Sequence, residues 1–265
     1  MQSYRHGILI VSVVLTLSVT AALLVTRGQG LRLSNSSIQN GSAKEGHYPI
    51  VDYTSAKLAN REEQKARRAK SERFSKRHLV PRPEEAPNLE ILPLIDHSLS
   101  RLPALPAQMS DAVLLGEIID AQAYLSNDKT GVYSEFKLQI KQVLKQDSLG
   151  SLYPNLIVTT TREGGAVRYP SGRIQRFSIL NQGLPQPGGN YVLFLKRNGQ
   201  ELGFDILTGY ELYRGQVSPL DGSEQTGLPF SAYKGVDETS FLNAVRYAIS
   251  QSPRTVLTEK VRTNE

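Results

Sequence analysis

The chain has 265 residues, a formal net charge of +6 and no cysteine. Disulfide bridges, thiolate metal sites, cysteine nucleophiles and a cysteine-linked lipid anchor are therefore excluded. The excess of positive charge is local, because nine basic and three acidic residues lie between Lys57 and Arg77, and the two kinds are equal in number elsewhere. Attraction to an anionic surface is therefore expected mainly from that segment.

An uncharged apolar stretch, Ile8 to Val25, lies close to the N-terminus. Its length falls between the core of a cleavable signal, about 7 to 15 residues, and a membrane-spanning helix of about 20 residues. An uncleaved anchor is favoured, since cleavage after Ala21 would leave an apolar new N-terminus. Residues 1–27 are thus predicted to be a signal or anchor segment that places the protein on the extracytoplasmic face of a bacterial membrane. After cleavage, the alternative is a secreted or periplasmic protein.

Three connecting segments follow the anchor. Residues 28–56, rich in Ser, Asn and Gly, are predicted to be a flexible linker. Residues 57–78 contain strong helix formers, and their apolar positions make no continuous stripe, so they are predicted to form a basic, exposed helix. Residues 79–109 carry repeated prolines and are predicted to be an extended Pro-rich linker.

The basic helix has two interpretations, contact with anionic lipid or cell-wall polymer, and a solvated spacer. The residues assigned to the anionic contact are Lys65, Arg67, Arg68, Lys70, Arg73, Lys76 and Arg77.

Residues 110–250 show short alternating or apolar runs separated by turn signals, which is typical of a mainly β domain. The predicted strands cover 113–125, 132–140, 156–163, 166–169, 173–179, 190–195, 204–214 and 216–220. Turns are expected at Gly164–Gly165 and at Pro170–Gly172. An amphipathic helix, 239–250, closes the domain, and 251–265 form a polar tail. We expect an OB-like barrel, closed or partly open, with a C-terminal helix; an Ig-like sandwich is the alternative.

Several runs in this domain resemble known proteins. The chain resembles an uncharacterised family of exported bacterial proteins over residues 48–250, in the runs SDAVLLGEI, LSNDKTGVYSEF, REGGAVRYPSGR, YVLFLKRN and FDILTGYEL. Gly189 to Leu195 is similar to a strand of the netrin and tissue-inhibitor-of-metalloproteinase type of OB barrel. That second resemblance implies a fold but not the inhibitory mechanism, because the zinc-binding N-terminal cysteine of those inhibitors has no counterpart here.

Histidine chemistry is excluded from the β domain, because all four histidines precede Asp111. Ser171 is interpreted as a turn residue. No catalytic residue, cofactor or metal site is predicted. The favoured function is a non-enzymatic binding or interaction module of the envelope; the alternatives are a histidine-free envelope hydrolase and a structural spacer of a larger assembly.

One basic and aromatic cluster is the candidate binding surface of the β domain. A guanidinium beside an aromatic ring suits sugar, carboxylate or phosphate recognition, and the alternative is cation–π and salt-bridge packing on a solvated sheet. The candidate residues are Arg162, Arg168, Tyr169, Arg173, Arg176 and Phe177. Expected partners are anionic lipid, cell-wall polymer or another envelope protein, with the membrane contacted through residues 8–25. Nucleic acid is disfavoured because the domain is formally neutral.

Overall fold

The computed structural model describes residues 48–54, 61–84, 101–148, 151–199, 203–222 and 228–251. The predicted anchor, most of the two linkers and nearly all of the polar tail lie outside these residues. Within the described ranges, no helix is both long enough and apolar enough to cross a bilayer.

The described residues are mainly β, as the alternating pattern predicts. The strands are β1 (Ile50–Asp52), β2 (Ala112–Leu125), β3 (Val132–Lys145), β4 (Ile157–Glu163), β5 (Gly165–Arg168), β6 (Ile174–Phe177), β7 (Asn190–Arg197), β8 (Gly203–Tyr213) and β9 (Gln216–Pro219). The α-helices are α1 (Arg61–Glu72) and α2 (Glu238–Ser250), and a short 3-10 helix covers Pro229–Tyr233. β3 continues past the predicted end at Ile140 because its backbone stays paired with the start of β2.

Six strands form one sheet in the order β4-β3-β2-β7-β8-β9, and successive neighbours are antiparallel. β4 also pairs in parallel with β8, where Thr159–Thr161 lie beside Gly203–Asp205. Five strands, β2, β3, β4, β8 and β7, therefore form a continuous hydrogen-bonded circuit. Phe136, Leu138 and Leu193 belong to the apolar core that this circuit shares.

A second core lies between the sheet and α2. Phe241 and Val245 of the helix are fully buried in one cluster with Phe194 and Tyr210 of the sheet. The helix begins at an aspartate cap, because the Asp237 side chain accepts a hydrogen bond from Ser240 N at 2.9 Å. The predicted amphipathic helix is therefore present, and its apolar side packs on the sheet.

A separate three-stranded sheet has the order β1-β5-β6, with β1 parallel to β5. The expected turn at Gly164–Gly165 does not form a hairpin, because β4 and β5 lie in different sheets. The chain instead passes between the sheets at Gly164, whose φ of 113° is readily adopted only by glycine. The expected Pro170–Gly172 loop is present, with Tyr169 N donating to Arg173 O at 2.9 Å.

Helix α1 differs from the expectation of an exposed helix. Lys70 and Ser71 are buried, and Phe74, two residues after the helix, stacks on Tyr133 of β3 with ring centroids 4.3 Å apart. Ser71 Oγ also lies 2.9 Å from the Tyr133 hydroxyl. The outward face of an alternating strand is ordinarily polar, but here the outward face of β2 and β3 carries aromatic rings. The helix packs there because it covers these rings.

Candidate functional site

The basic side of α1 faces carboxylates of the strand circuit. Lys70 Nζ lies 2.8 Å from Glu135 Oε1 on β3, and Arg67 pairs with the same carboxylate. Beyond the end of the helix, Arg73 pairs with Asp205 on β8. Arg77 Nε lies 3.4 Å from Glu163 Oε1 on β4. These ion pairs connect one short segment to three strands of the circuit.

The seven residues assigned to an anionic surface therefore fall into two groups. Four of them pair with carboxylates of the strand circuit, namely Arg67, Lys70, Arg73 and Arg77. The other three, Lys65, Arg68 and Lys76, are exposed and make no ion pair with any described residue. The structure thus uses four of the seven assigned cations to dock α1 on its own domain.

Docking of α1 creates a groove of about 500 Å³. Its walls are β1, α1, the end of β2 and the turn that follows β2. Volumes of this size are typical of ligand-binding clefts. The groove therefore exists only because three segments that are distant in sequence meet beside the turn that follows β2.

Arg67 forms one wall of the groove. Its guanidinium carbon lies 3.7 Å from the centroid of the Tyr124 ring, in cation–π contact. Burial tends to lower the pKa of Arg67, but a hydrogen bond with Tyr133 and the charge of Glu135 outweigh burial and raise that pKa. Arg67 Nε is buried and has no hydrogen-bond partner among the described residues. This cation is therefore fixed in place and stays charged.

Lys129 stands in the turn at the other side of the groove. Its Nζ donates to Tyr53 O at 2.9 Å and lies 4.8 Å from the centroid of the Tyr53 ring. The φ of Lys129 is 60°, and the turn is held by Asp128, whose carboxylate accepts hydrogen bonds from Ser126 Oγ and Thr130 N. Burial works against ionisation of Asp128, but these hydrogen bonds and one from Lys76 N outweigh burial and lower its pKa. The turn thereby presents Lys129 in a defined position.

The lining of the groove is positively charged. It contains three cations, Arg67, Arg68 and Lys129, and one acid, Asp52. Asp52 Oδ1 is itself 3.2 Å from Arg168 Nη1, and Arg67 pairs with Glu135, so both of these charges are balanced from outside the lining. Arg68 and Lys129 remain as lining cations without an ion pair to a described residue. Electrostatics at this site therefore favour an anionic ligand.

The basic and aromatic cluster predicted in the β domain is not brought together on one surface. Arg162 is buried, and so are Tyr169 and Phe177, which belong to the core beneath the small sheet. Arg168, Arg173 and Arg176 are exposed. The Arg176 guanidinium carbon lies 5.1 Å from the Tyr48 ring centroid. Two of the six are linked to the groove, Arg168 through its ion pair with Asp52 and Tyr169 through its stack on Tyr53.

Arg162 of β4 forms a buried ion pair that joins two loops to the strand circuit. Its Nη2 lies 2.7 Å from Asp221 Oδ2, and the side chains are 3% and 0% exposed. Arg162 also donates to the carbonyl oxygens of Gly183 and Leu207, at 2.8 Å and 3.2 Å. Gly183 N donates to Asp221 Oδ1 at 3.0 Å. This arrangement of Arg162 stabilises the fold.

Sequence reasoning missed Tyr53, Tyr124 and Lys129 as lining residues. Lys129 lies between the predicted strands 113–125 and 132–140, and Tyr124 lies within the first of them. Tyr124 and Tyr133 are cross-strand neighbours at the end of the first predicted hairpin, so aromatic residues on its outward face were the available signal. Among the described residues, no group of three or more acidic or histidine side chains is placed to hold a metal ion.

Comparisons of this chain with protein-family models, with curated proteins and with solved structures each gave no match.

Proposed function

We propose that the protein is a non-enzymatic binding module of a bacterial cell envelope, tethered through residues 8–25 and displayed on the extracytoplasmic face. The observation that carries this proposal is the groove, where Arg67, Arg68 and Lys129 line one cleft beside two tyrosine rings. The tether is supported by the eighteen uncharged residues, whose transfer from water to lipid is favourable.

We further infer that the barrel is of the OB type. The circuit β2-β3-β4-β8-β7, in which the only parallel pairing joins the third strand to the fifth, supports this assignment. The groove lies beside the loop between the first and second barrel strands, a region where OB barrels commonly bind oligosaccharides and oligonucleotides. The fold assignment therefore agrees with a binding role.

The position of the histidines also supports a binding role over catalysis. All four precede Asp111, so the barrel itself offers no histidine as a general base. Two alternatives have to be separated from a binding module by experiment, a histidine-free hydrolase and a structural spacer.

The test uses the tagged full-length chain. Cells are fractionated, and the N-terminus of the recovered protein is determined by mass spectrometry. Sedimentation of the detergent-solubilised chain with isolated envelopes that have been extracted with detergent is then measured. We expect recovery in the membrane fraction with residues 8–25 retained. We also expect envelope binding that Arg68→Gln with Lys129→Gln weakens. Arg246→Gln, an exposed charge on α2, is the single-site control and should leave binding unchanged.

Three results would contradict the proposal. Recovery of the protein from the cytoplasm, free of membrane and with Met1 retained, would contradict a location in the envelope. Turnover of cell-wall substrate that is lost with one of Glu117→Gln, Glu135→Gln, Glu163→Gln or Ser171→Ala would favour the hydrolase. Stable co-purification with an assembly, without any effect of the groove substitutions, would favour the spacer.

A further inference from the structure

We propose that the ligand of the groove is a polymer whose repeating units carry oxyanions, either phosphate diesters or carboxylates. This inference rests on the proposed binding function and adds the chemical class of the ligand. It places recognition on Arg67, Arg68 and Lys129 rather than on the whole basic segment.

The first argument is the surplus of charge at the α1 wall. Arg67 and Lys70 share one carboxylate, that of Glu135, so two cations face a single acid. Lys70 is buried beneath the helix, whereas Arg67 is part of the groove lining. An oxyanion bound against Arg67 would balance this surplus, and charge-assisted hydrogen bonds to guanidinium are among the stronger polar contacts in proteins.

The second argument is that the two outer cations are not used in internal ion pairs and that Lys129 is already positioned. Lys129 is held by the Tyr53 carbonyl and ring, and Arg68 is on the next position of the same helix wall as Arg67. Neither Arg68 nor Lys129 makes an ion pair with a described residue. A ligand can therefore pair with these two cations without first breaking an internal ion pair. Because the Lys129 side chain is already held, little of its conformational entropy is lost on binding.

The third argument separates oxyanions from neutral sugars. Neutral sugars are commonly bound by stacking on open aromatic faces, but here Arg67 lies over the Tyr124 ring and Lys129 over the Tyr53 ring. Tyr53 is also stacked on Tyr169, with ring centroids 5.5 Å apart. The tyrosines therefore hold cations in place and offer less face to a sugar ring.

The shape of the site favours an extended chain over a membrane surface. The cleft is concave, and its Arg67 side chain is only 27% exposed. A flat bilayer would reach the exposed Arg68 but not Arg67, whereas a polymer strand can enter the cleft and meet both.

The experiment measures binding of the full-length chain, held in neutral detergent micelles, to four probes by isothermal titration calorimetry. The probes are poly(glycerol phosphate), polygalacturonate oligomers, neutral dextran and phosphatidylglycerol vesicles. The test variant is Arg68→Gln with Lys129→Gln. The control, Lys65→Gln with Arg246→Gln, removes two exposed charges outside the groove lining. Thermal unfolding verifies that both variants are folded.

We expect binding of one or both anionic polymers, weakened about tenfold or more by the test variant, because each charge-assisted hydrogen bond contributes on that scale. The control should change affinity by less than about threefold, since exposed charges act weakly at a distance in salt. Preference for phosphate or for carboxylate identifies the source of the oxyanion, and either preference supports the proposal.

Several outcomes would overturn it. Equal affinity for dextran would show that the ligand needs no oxyanion. Binding to vesicles but to neither polymer would show that the ligand is a lipid surface and not a polymer. Equal weakening in the test and control variants would show diffuse attraction instead of a groove. If no polymer binds while envelope binding remains sensitive to Arg68 and Lys129, this inference fails and the proposed function stands. If the wild-type chain does not bind envelopes, the proposed function itself is contradicted.

Discussion

Replacing Asp221 with asparagine should destabilise the protein strongly. The substitution keeps the shape of a side chain that is 0% exposed but removes the charge that faces Arg162 Nη2 at 2.7 Å. The guanidinium would keep its hydrogen bonds to the Gly183 and Leu207 carbonyl oxygens. Those groups carry no net charge, so the cation would remain buried without a counter-ion.

The expected cost follows from that geometry. Removing one partner of a buried ion pair typically costs about 3–5 kcal/mol of unfolding free energy. For a domain of this size each kcal/mol corresponds to roughly 2–4 °C of melting temperature, so Asp221→Asn should lower it by about 6–20 °C.

Urea unfolding of the full-length chain, followed by circular dichroism, measures this effect. Asp120→Asn is the matched control, because its pair with Lys137 is exposed and should contribute less than about 1 kcal/mol. Replacing both partners, Arg162→Met with Asp221→Leu, should recover much of the loss, since an apolar pair leaves no buried charge. An Asp221→Asn protein within about 1 kcal/mol of wild type would refute the reasoning.

Three other predictions concern α1, the sheet and pH. Phe74→Ala removes the stack on Tyr133, so hydrogen exchange of α1 amides should accelerate while that of barrel strands is retained; unchanged α1 protection would contradict this. Gly116→Ala would place a Cβ 2.4 Å from Gln139 O. Thermal unfolding should therefore show that the free energy of unfolding falls by about 1–3 kcal/mol or more. A variant as stable as the wild type would contradict this close approach. Burial raises the pKa of Tyr191 to about 12, above its unfolded value of about 10. The resulting stabilisation is complete below pH 10 and is lost as pH rises toward 12. The free energy of unfolding, measured with urea between pH 8 and 11.5, should therefore decline less steeply for Tyr191→Phe than for the wild type. An equally steep decline in both would contradict the assignment.

The strands were accessible from sequence because their signal is local. Alternation over Val132 to Ile140 places Phe136 and Leu138 on one side, and both are fully buried in the structure. The parallel pairing of β4 with β8 had no such signal, because its partners are far apart in the chain and three residue pairs leave no periodicity to recognise.

The site was less accessible for a different reason. The charges of the basic segment were visible, but charge patterning does not tell whether its counter-charges lie on a partner or on the same chain. Alternation placed Glu135 on the outward face of β3, and the structure shows that α1 covers it. The groove then depends on three segments, around Tyr53, Arg67 and Lys129, that only the tertiary fold brings together.

The small sheet has a mechanical consequence in the tethered arrangement proposed above. β1 is the first described strand, and three residue pairs in parallel hold it to β5. A pulling force transmitted from the N-terminal side would load β1 before α1 or the barrel. Since β1 is also a wall of the groove, a force on the tether would reach this wall first.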